Sequence, residues 1–423
     1  MRNDSLVDPR HDAADFEASP APRETGGPSP SHQLGGEGRY PPSDHDDDEE
    51  QRATIQRSTH NPTDAGHQTT VPRILVTRPL PDAGFQQLDR MSSQGLIHLT
   101  IQPTDEPANR QWLLNELKRT QYNAIICMLG DKIDDQLLEA AGSQLECVST
   151  MSAGYDHIDI VSLKQRGIRL GTTPDALTDA TADVGAMLTL MATRRAGEGM
   201  RAVIDGQWPM MPWAPLLLCG HGLQGRTIGI LGFGKIGQLT LKRLLGFDIG
   251  RALYVTSKPN CEPKHDYFNL VNNTTSSIVN SKGQPISIEP ATSLKQLAQE
   301  SDVLIVCCAL THETRHVVST EFLNWMKPTS YLVNTSRGPV VDTRALIQAI
   351  DEGKLAGAGL DVVEGEPNIQ QDDDVVKQSK IVVLPHVGSA TIETRNDMAR
   401  QCVVNCFAGV GLRGYEWINE VML

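Results

Sequence analysis

The stretch TIGILGFGKIG, Thr227 to Gly237, decides the fold of this chain. Its first half is apolar and is typical of a short buried strand. Gly232, Gly234 and Gly237 then form a G-x-G-x-x-G pattern where the strand gives way to a leucine-rich helix. In such a loop the first glycine permits a tight turn, the second lets a pyrophosphate approach the backbone, and the third lets helix pack on strand. The pattern alone is weak evidence, but the strand before it and the helix after it together favour a dinucleotide site.

The composition of the chain limits its function class. At 423 residues it is long enough for two folded domains and a further segment. The net charge of −14 argues against nonspecific nucleic-acid binding. Residues 1–72 hold 14 acidic residues against six arginines, together with nine of the 25 prolines. Because apolar residues are sparse there, we expect this acidic tail to be disordered.

The location of the protein follows from what the sequence lacks. No apolar run approaches the ~20 residues that a membrane span needs, and the N-terminus has no signal-peptide core. The eight cysteines form no C-x-x-C pair, and several lie inside apolar runs. That pattern favours reduced, buried thiols and no metal site, as in a cytoplasmic protein.

Beyond the tail, apolar strands alternate with helices, which is typical of parallel sheets covered by helices on both faces. We predict two doubly wound domains of this α/β class. A flavodoxin-like substrate domain takes residues 73–175 plus 392–423, and a Rossmann domain for NAD(P) takes residues 176–391. A long helix is expected to start at Thr178 or Asp179, and Asp159 is expected to cap the helix that follows it. Residues 197–225 are predicted to be irregular, and 260–292 to be a polar surface insertion.

Polar side chains follow three strands of the predicted Rossmann sheet. Arg337 comes after the strand YLVN, Glu366 after GLDVV, and His386 after IVVLP. In the first domain the turn at residues 152–154 follows the strand LECVSTM. Because ligands of open α/β sheets bind beyond the carboxyl ends of strands, we expect these groups to converge on one cleft.

These residue types suit the reduction of a 2-keto acid. A planar arginine fork can hold a carboxylate and polarise the carbonyl, and the N–H groups of Ala153 and Gly154 can bind the other carboxylate oxygen. A histidine paired with a carboxylate can donate the proton as a hydride arrives on the carbonyl carbon. Each residue alone has an ordinary explanation, such as a surface ion pair, a loop acid or a helix-capping histidine. Their joint placement favours catalysis.

The choice of cofactor depends on the end of the second Rossmann strand. An NAD site usually has Asp or Glu there to bind the ribose 2′-hydroxyl. This chain has Tyr254 to Lys258 (YVTSK), which contains no acid. The hydroxyl of Ser257 and the cation of Lys258 suit a 2′-phosphate. We therefore predict NADP(H), with NAD(H) as the alternative.

At these residues the sequence resembles the D-isomer-specific 2-hydroxyacid dehydrogenases, and within that family the glyoxylate/hydroxypyruvate reductase branch. The similarity runs from about residue 73 to 412 and leaves out the tail. It is carried by motifs that are specific in combination: STMSAGYDHID (149–159), TPDALTDATADVG (173–185), LCGHGL (218–223), LGFGKIG (231–237), ALTHET (309–314), VNTSRG (333–338), GLDVVEGEP (359–367) and LPHVGSAT (384–391).

The resemblance implies NADPH-dependent reduction of glyoxylate and hydroxypyruvate to glycolate and D-glycerate. It implies that Arg337 binds substrate and that His386, paired with Glu366, is the acid/base. It implies a homodimer in which Trp208 or Trp213 reaches the neighbouring active site. The cofactor residues that it implies are Thr181, Gly232, Gly234, Lys235, Ile236, Gly237, Asp361 and Ser389.

The sequence departs from the family pattern at two places. Asp183 stands where the family usually has Glu, and the insertion after Asn260 is longer than the pattern needs. Two other functions stay open, and a third, that of a formate dehydrogenase, is disfavoured. A 3-phosphoglycerate-type dehydrogenase would need more basic residues near the loop 128–130 than Lys132. A formate dehydrogenase has glutamine in place of Glu366. A nucleotide-sensing corepressor of the same fold would bind cofactor without reducing keto acids, so steady-state kinetics separates it from an enzyme.

Overall fold

The computed structural model describes residues 71–271 and 278–423 of the chain. Residues 1–70 of the predicted acidic tail lie outside these ranges. The described residues form two largely parallel sheets with helices packed against them, which confirms the predicted α/β class. None of their helices is both long enough and apolar enough to cross a bilayer.

The first part of the chain alternates strands with helices and ends in two consecutive helices. Its elements are β1 (Arg73–Val76), α1 (Asp82–Ser93), β2 (His98–Ile101), α2 (Arg110–Arg119), β3 (Ala124–Cys127), α3 (Asp135–Ala141), β4 (Cys147–Thr150), α4 (Ile160–Arg166), β5 (Arg169–Gly171), α5 (Thr178–Thr193) and α6 (Ala196–Ile204). Two predicted helix starts are confirmed. The side chain of Asp159 caps α4 by accepting a hydrogen bond from the Ser162 N–H at 3.0 Å, and α5 begins at Thr178.

The second part of the chain begins with the glycine motif. Its elements are β6 (Thr227–Leu231), α7 (Lys235–Leu244), β7 (Arg251–Val255), β8 (Ser287–Pro290), α8 (Leu294–Glu300), β9 (Val303–Val306), α9 (Thr320–Trp325), β10 (Tyr331–Asn334), α10 (Thr343–Asp351), β11 (Gly357–Leu360), α11 (Asp374–Lys377), β12 (Ile381–Val383), α12 (Ile392–Gly409) and β13 (Glu420–Val421).

The first sheet has the strand order β13-β5-β4-β3-β1-β2 and is parallel except for β13. The C-terminal part of the chain returns to this sheet. α12 packs along α1 and β4. The Asn405 side chain donates a hydrogen bond to the Thr172 carbonyl at 2.9 Å, and the Ser149 hydroxyl donates one to the Cys402 carbonyl at 2.7 Å. The first sheet is therefore built from both ends of the described chain.

The second sheet has the order β12-β11-β10-β9-β6-β7-β8, and all of its strands are parallel. Its central strands are fully buried apolar runs, because helices cover both faces. β6 lies between β7 and β9, where the order of the strands reverses. The glycine loop therefore opens at the switch point where doubly wound sheets bind ligands.

Two segments contain more regular structure than the sequence predicts. Residues 197–225 include most of α6, whose helical pattern Gly197 and Gly199 interrupt. An ion pair between Arg195 and Glu198 at 2.6 Å stabilises its first turn. The predicted insertion 260–292 includes β8, which pairs with β7 at the sheet edge. A short edge strand with polar residues gives only a weak pattern in the sequence.

Candidate active site

Arg337 lies directly beyond β10, on the edge of the second sheet where the parallel strands end. The buried Asn334 side chain holds this turn, because its amide donates to the Arg337 carbonyl at 3.0 Å and accepts from the Ser336 N–H at 3.0 Å. The Arg337 side chain is only 18% exposed. Its backbone is therefore fixed by the strand, and its guanidinium is directed away from bulk solvent.

The Arg337 guanidinium contacts the turn at 152–156 of the first sheet. Its Nε donates to Asp156 Oδ1 at 2.8 Å, and one Nη donates to the Ser336 carbonyl at 2.8 Å. A methyl group on Gly154 would lie 2.0 Å from Arg337 Nη2, so only glycine permits this approach. Burial is the largest single influence on the pKa of Asp156 and raises it, but the charge and the hydrogen bond of Arg337, with smaller contributions, together hold that pKa below its usual range. The two sheets thus meet at this ion pair.

His386 and Glu366 form a pair on the same edge, beyond β12 and β11. The distance from His386 Nδ1 to Glu366 Oε1 is 2.9 Å, and Glu366 Oε2 accepts from the Val363 N–H at 3.1 Å. Because an ionised carboxylate only accepts hydrogen bonds, Nδ1 carries the proton toward Glu366. The second ring nitrogen, Nε2, is thereby left for a ligand.

The loop around His386 is strained and strongly supported. His386 has a φ of +53°, a left-handed conformation that costs energy for a residue with a side chain. Asp361 offsets this cost, because its two carboxylate oxygens accept from the Val387 and Gly388 N–H groups, both at 2.8 Å. Asp361 is 1% exposed, and burial raises its pKa. Thr181 adds a hydrogen bond from its hydroxyl to the Gly388 carbonyl at 3.2 Å.

His157 is a second histidine near Arg337, held inside the first domain. Its Nε2 lies 3.0 Å from the Thr150 hydroxyl, while its buried Nδ1 has no partner among the described residues. The pKa of His157 is lowered to about 4, mainly by burial. Asp156 opposes this decrease and Arg337 adds to it. His157 is therefore neutral at neutral pH.

The neutral state of His157 predicts a loss of stability in acid. Its folded pKa of about 4 lies below the unfolded value of 6.5, so the unfolded chain binds the proton more readily. Stability is then lost as the pH falls from about 6.5 towards 4. We expect about 2 kcal/mol less free energy of unfolding at pH 5.0 than at pH 7.5 from this residue alone. Urea titrations of wild type and His157→Gln at both values test this, and equal pH slopes in the two proteins would contradict it.

The glycine loop after β6 has the geometry of a phosphate cradle. Gly232 has a φ of +100°, and a methyl group on it would lie 2.3 Å from the Cys308 backbone nitrogen. A methyl group on Gly237 would lie 2.3 Å from the Gly232 carbonyl oxygen, where α7 packs on β6. On Gly234 it would meet no atom of the described residues within 4 Å. Since the protein itself does not exclude a side chain at Gly234, glycine there suits a group that approaches from outside.

Lys235 and Ile236 begin α7 directly after this cradle. Lys235 Nζ lies 2.5 Å from Asp175 Oδ1 and 5.1 Å from the centre of the Tyr267 ring. Ile236 packs at the edge of the core of the first sheet. The start of α7 is thus tied to the segment that links the two sheets, and also to the segment that follows β7.

The groups beyond β7 are exposed. Ser257 and Lys258 lie on the surface directly after the strand. An acid does occur nearby, because Glu262 Oε2 accepts a hydrogen bond from the Tyr254 hydroxyl at 2.7 Å. That carboxylate is engaged with the tyrosine, while the Lys258 cation stays exposed. Lys258 is thus the charge that directly follows the strand, while Glu262, also exposed, lies four residues further on.

The geometry agrees with what comparison with known proteins finds. The family model described as D-isomer specific 2-hydroxyacid dehydrogenase, NAD binding domain, matches residues 186–279 and 270–388. The glyoxylate reductase of Thermofilum pendens is 39% identical over 337 residues, which cover 80% of this chain and 91% of that enzyme. The glyoxylate reductase/hydroxypyruvate reductase of Homo sapiens is 37% identical over 353 residues, or 83% and 98% of the two chains. The chain belongs to the D-isomer-specific 2-hydroxyacid dehydrogenases.

A solved structure supports the same assignment. The NADPH-dependent glyoxylate/hydroxypyruvate reductase of Sinorhizobium meliloti, in complex with NADP and malonate, superposes with a TM-score of 0.65 at 28% identity. The match covers 83% of this chain and 97% of that one. This protein is accordingly an NAD(P)-dependent D-2-hydroxyacid dehydrogenase, as the sequence predicts.

Not all of the residues singled out from the sequence lie together in this dehydrogenase. Arg337, Glu366, His386, Asp361 and Thr181 lie beside the carboxyl ends of the second sheet. Ser389 follows in the same loop and is partly buried. Trp208 and Trp213 lie on the surface and are 67% and 86% exposed, so neither belongs to the core of its own chain.

Sequence reasoning missed the partners that hold this dehydrogenase's site together. Asp156, which binds Arg337, is 181 residues away from it, and no pattern links the two. Asp175, which pairs with Lys235, is likewise one acid among many. Only the position of Asp156 could have indicated its role. It lies in the glycine turn after β4, and residues that follow a strand of a parallel sheet face the ligand cleft.

Proposed function

We propose that this dehydrogenase reduces glyoxylate and hydroxypyruvate with NADPH, giving glycolate and D-glycerate. The observation that carries the proposal is the contact of Arg337 with the turn at Gly154, 2.8 Å from Arg337 Nε to Asp156. It puts a cation and free backbone N–H groups side by side. Named relatives at 36% and 37% identity reduce these two acids.

The substrate carboxylate would bind between Arg337 and the turn. Among the described residues, neither the Ala153 nor the Gly154 N–H donates a hydrogen bond to another group. Arg337 uses Nε and one Nη hydrogen within the protein, which leaves Nη2 for a ligand. An α-keto carboxylate can accept from Nη2 and from both N–H groups. That arrangement fixes the position of the carbonyl group.

The proton would come from His386. Glu366 accepts from Nδ1, so its negative charge stabilises the imidazolium, and Nε2–H is left to donate to the ketone oxygen. NADPH bound at the glycine loop supplies the hydride. Arg337 stabilises the negative charge that develops on that oxygen before the proton arrives. Asp361 contributes by holding the loop of His386, and its oxygens keep lone pairs for the cofactor's carboxamide.

A substrate panel tests this function. We expect reduction of glyoxylate and hydroxypyruvate to exceed that of 2-oxobutanoate and phenylpyruvate in kcat/KM, because relatives at 36% and 37% identity are named for the first two acids. Failure to reduce either of the first two acids with either cofactor would overturn the proposal. It would favour the corepressor alternative if the protein still bound the cofactor.

The preference for NADPH is the finer part of the proposal. We expect kcat/KM to be at least about tenfold higher with NADPH than with NADH, because Lys258 can pair with the 2′-phosphate. Lys258→Ala should remove most of this preference by raising KM for NADPH and leaving kinetics with NADH unchanged. Lys282→Ala is a matched surface control, since this exposed lysine lies in the turn that precedes the edge strand β8. A wild-type enzyme that used both cofactors equally well would contradict this assignment.

The homodimer and the cytoplasmic location remain predictions from the sequence. The surface available for a dimer is apolar and continuous in sequence after α5. It includes the exposed side chains of Met200, Ile204, Trp208, Met210, Trp213 and Leu216. Apolar side chains of this size are rarely left together in water. We propose that a second copy of the chain covers them, and light scattering that gave a monomer mass would contradict it.

A further inference from the structure

An open cavity of about 420 Å³ lies between the start of α1 and the start of α12. Its wall includes Asp82 from the first sheet's side and Thr391, Arg395 and Asn396 from α12. Residue 390, also in the wall, is four residues beyond His386 in the same loop. His386 itself does not line the cavity. The helix starts that form it follow β1 and β12, so the cavity lies beyond the carboxyl ends of strands, as His386 does. Its volume falls in the range of small-molecule sites, which is far more than a two-carbon acid fills.

Arg395 is the unusual group in this wall. Its side chain is partly buried, and burial lowers its pKa. No hydrogen bond or ion pair with another residue in 71–271 or 278–423 engages its guanidinium. A guanidinium has five N–H donors, and removing them from water without a partner is unfavourable. A ligand that supplies acceptors would correct this imbalance.

Two polar side chains near Arg395 on α12 are engaged within the protein. The Asn396 side chain accepts from the Ala83 N–H at 3.0 Å and donates to the Ile392 carbonyl at 2.9 Å. Arg400, one turn further along, pairs with Asp397 at 2.6 Å. Asn396 and Arg400 therefore have partners within the protein. Arg395 is left facing the cavity.

Asp361 influences Arg395 but does not satisfy it. Its charge raises the pKa of Arg395, against the larger effect of burial. Its two oxygens already accept from the Val387 and Gly388 N–H groups, and the two side chains form no ion pair. Arg395 therefore lies within range of the charge of Asp361, which holds the loop of His386. Asp361 accepts no hydrogen bond from the Arg395 guanidinium, so the N–H donors of that group remain available to a ligand.

We propose that Arg395 is the binding group of a second anionic subsite, which takes the distal carboxylate of a dicarboxylic 2-keto acid. The inference rests on the proposed function, because Arg337 and the turn at Gly154 would hold the keto-acid end. A carboxylate can accept two parallel hydrogen bonds from a guanidinium, which a neutral chain end cannot do. The enzyme would then reduce 2-keto dicarboxylates better than monocarboxylates of the same length.

Asp82 sets the direction in which this ligand lies. Its carboxylate is exposed in the first turn of α1 and also lines the cavity. Because two carboxylates repel each other, the distal carboxylate belongs on the Arg395 side. Asp82→Asn removes that repulsion, and we expect it to increase the preference for dicarboxylates.

The test compares 2-oxoglutarate with 2-oxopentanoate, which has the same number of carbons and no second carboxylate. For wild type we expect kcat/KM to favour 2-oxoglutarate at least about tenfold. Arg395→Gln should bring this ratio close to one. Arg400→Gln, an exposed change on the same helix, should leave it as in wild type. General folding damage would lower kcat/KM for both substrates alike, because both share the keto-acid end. It would therefore leave the ratio unchanged.

Two results would overturn the subsite: a wild-type ratio at or below one, and an Arg395→Gln ratio equal to that of wild type. If the enzyme reduces no keto acid at all, the proposed function fails, and binding then tests the subsite. Calorimetric titration of the cofactor-loaded protein with glutarate and with pentanoate provides that measurement. We expect glutarate to bind at least about tenfold more tightly in wild type and no more tightly in Arg395→Gln. Equal affinities in wild type would rule the subsite out.

Discussion

His386→Gln is expected to lower kcat for glyoxylate reduction by about 10²–10⁴-fold, the usual contribution of a positioned general acid. The amide of glutamine can still hydrogen bond, but it cannot transfer a proton to the developing alkoxide. Binding of NADPH should change little, because the glycine loop after β6 holds the phosphates. Stopped-flow measurement of NADPH oxidation, together with a fluorescence titration of NADPH binding, separates the two effects.

The chain offers a matched control for this variant. His316 Nε2 lies 2.8 Å from Glu364 Oε1, so there is a second histidine–glutamate pair, whose glutamate comes two residues before Glu366. His316→Gln makes the same chemical change outside the proposed site. It should retain nearly all of the activity. If His386→Gln turned glyoxylate over within threefold of wild type, or if both variants lost activity equally, the acid role of His386 would be wrong.

The position of His386 could be predicted because ligands of a parallel sheet bind at the edge where its strands end. Arg337, Glu366 and His386 each follow an apolar run that reads as a strand, and all parallel strands end on the same side. The structure places them after β10, β11 and β12, which are neighbours in the sheet. The apolar runs that predict strands, and the positions of these residues directly after them, were therefore enough to predict that the three residues lie on one edge of the sheet.

Contacts between the two sheets could not be predicted in this way. The pair of Asp156 with Arg337 joins a turn of the first sheet to a strand end of the second, and side-chain patterns carry no information about such a contact. The same limit applies to Arg395, which in the sequence is an ordinary helical arginine. Only packing shows that its neighbours on α12 have partners.

The sequence pattern failed to predict α6 and β8, because both contain residues with low propensity for the helix or strand in which they lie. α6 contains two glycines, which favour loops, yet Ala202 is buried against the fold and the helix forms. β8 is a four-residue edge strand that ends in proline, a residue tolerated at an edge because no further strand pairs there. In both cases tertiary packing outweighs the intrinsic preference of the residues.

Arg337→Gln is expected to lower kcat/KM for glyoxylate by about a thousandfold, because it removes both a carboxylate-binding cation and stabilisation of the developing oxyanion. Arg337→Lys should recover only a small part of this loss. Lysine restores the charge, but a single ammonium cannot donate to Asp156 and to the substrate in the planar geometry that the fork provides. Steady-state kinetics with glyoxylate for both variants gives the comparison.

Asp156→Asn tests how much activity depends on where the Arg337 guanidinium is held, because the cation itself is retained. The change keeps Arg337 but replaces its 2.8 Å ion pair with a weaker, neutral hydrogen bond. If Arg337 binds substrate, this variant should raise KM for glyoxylate several-fold with a smaller fall in kcat, since the cation is still present but less well held. If Arg337 serves only to join the two sheets, Asp156→Asn and Arg337→Gln should instead lower stability to a similar extent and leave kcat/KM per folded molecule unchanged. Urea unfolding measured alongside the kinetics distinguishes the two, because a substrate-binding arginine predicts a loss of activity far larger than any loss of folded protein.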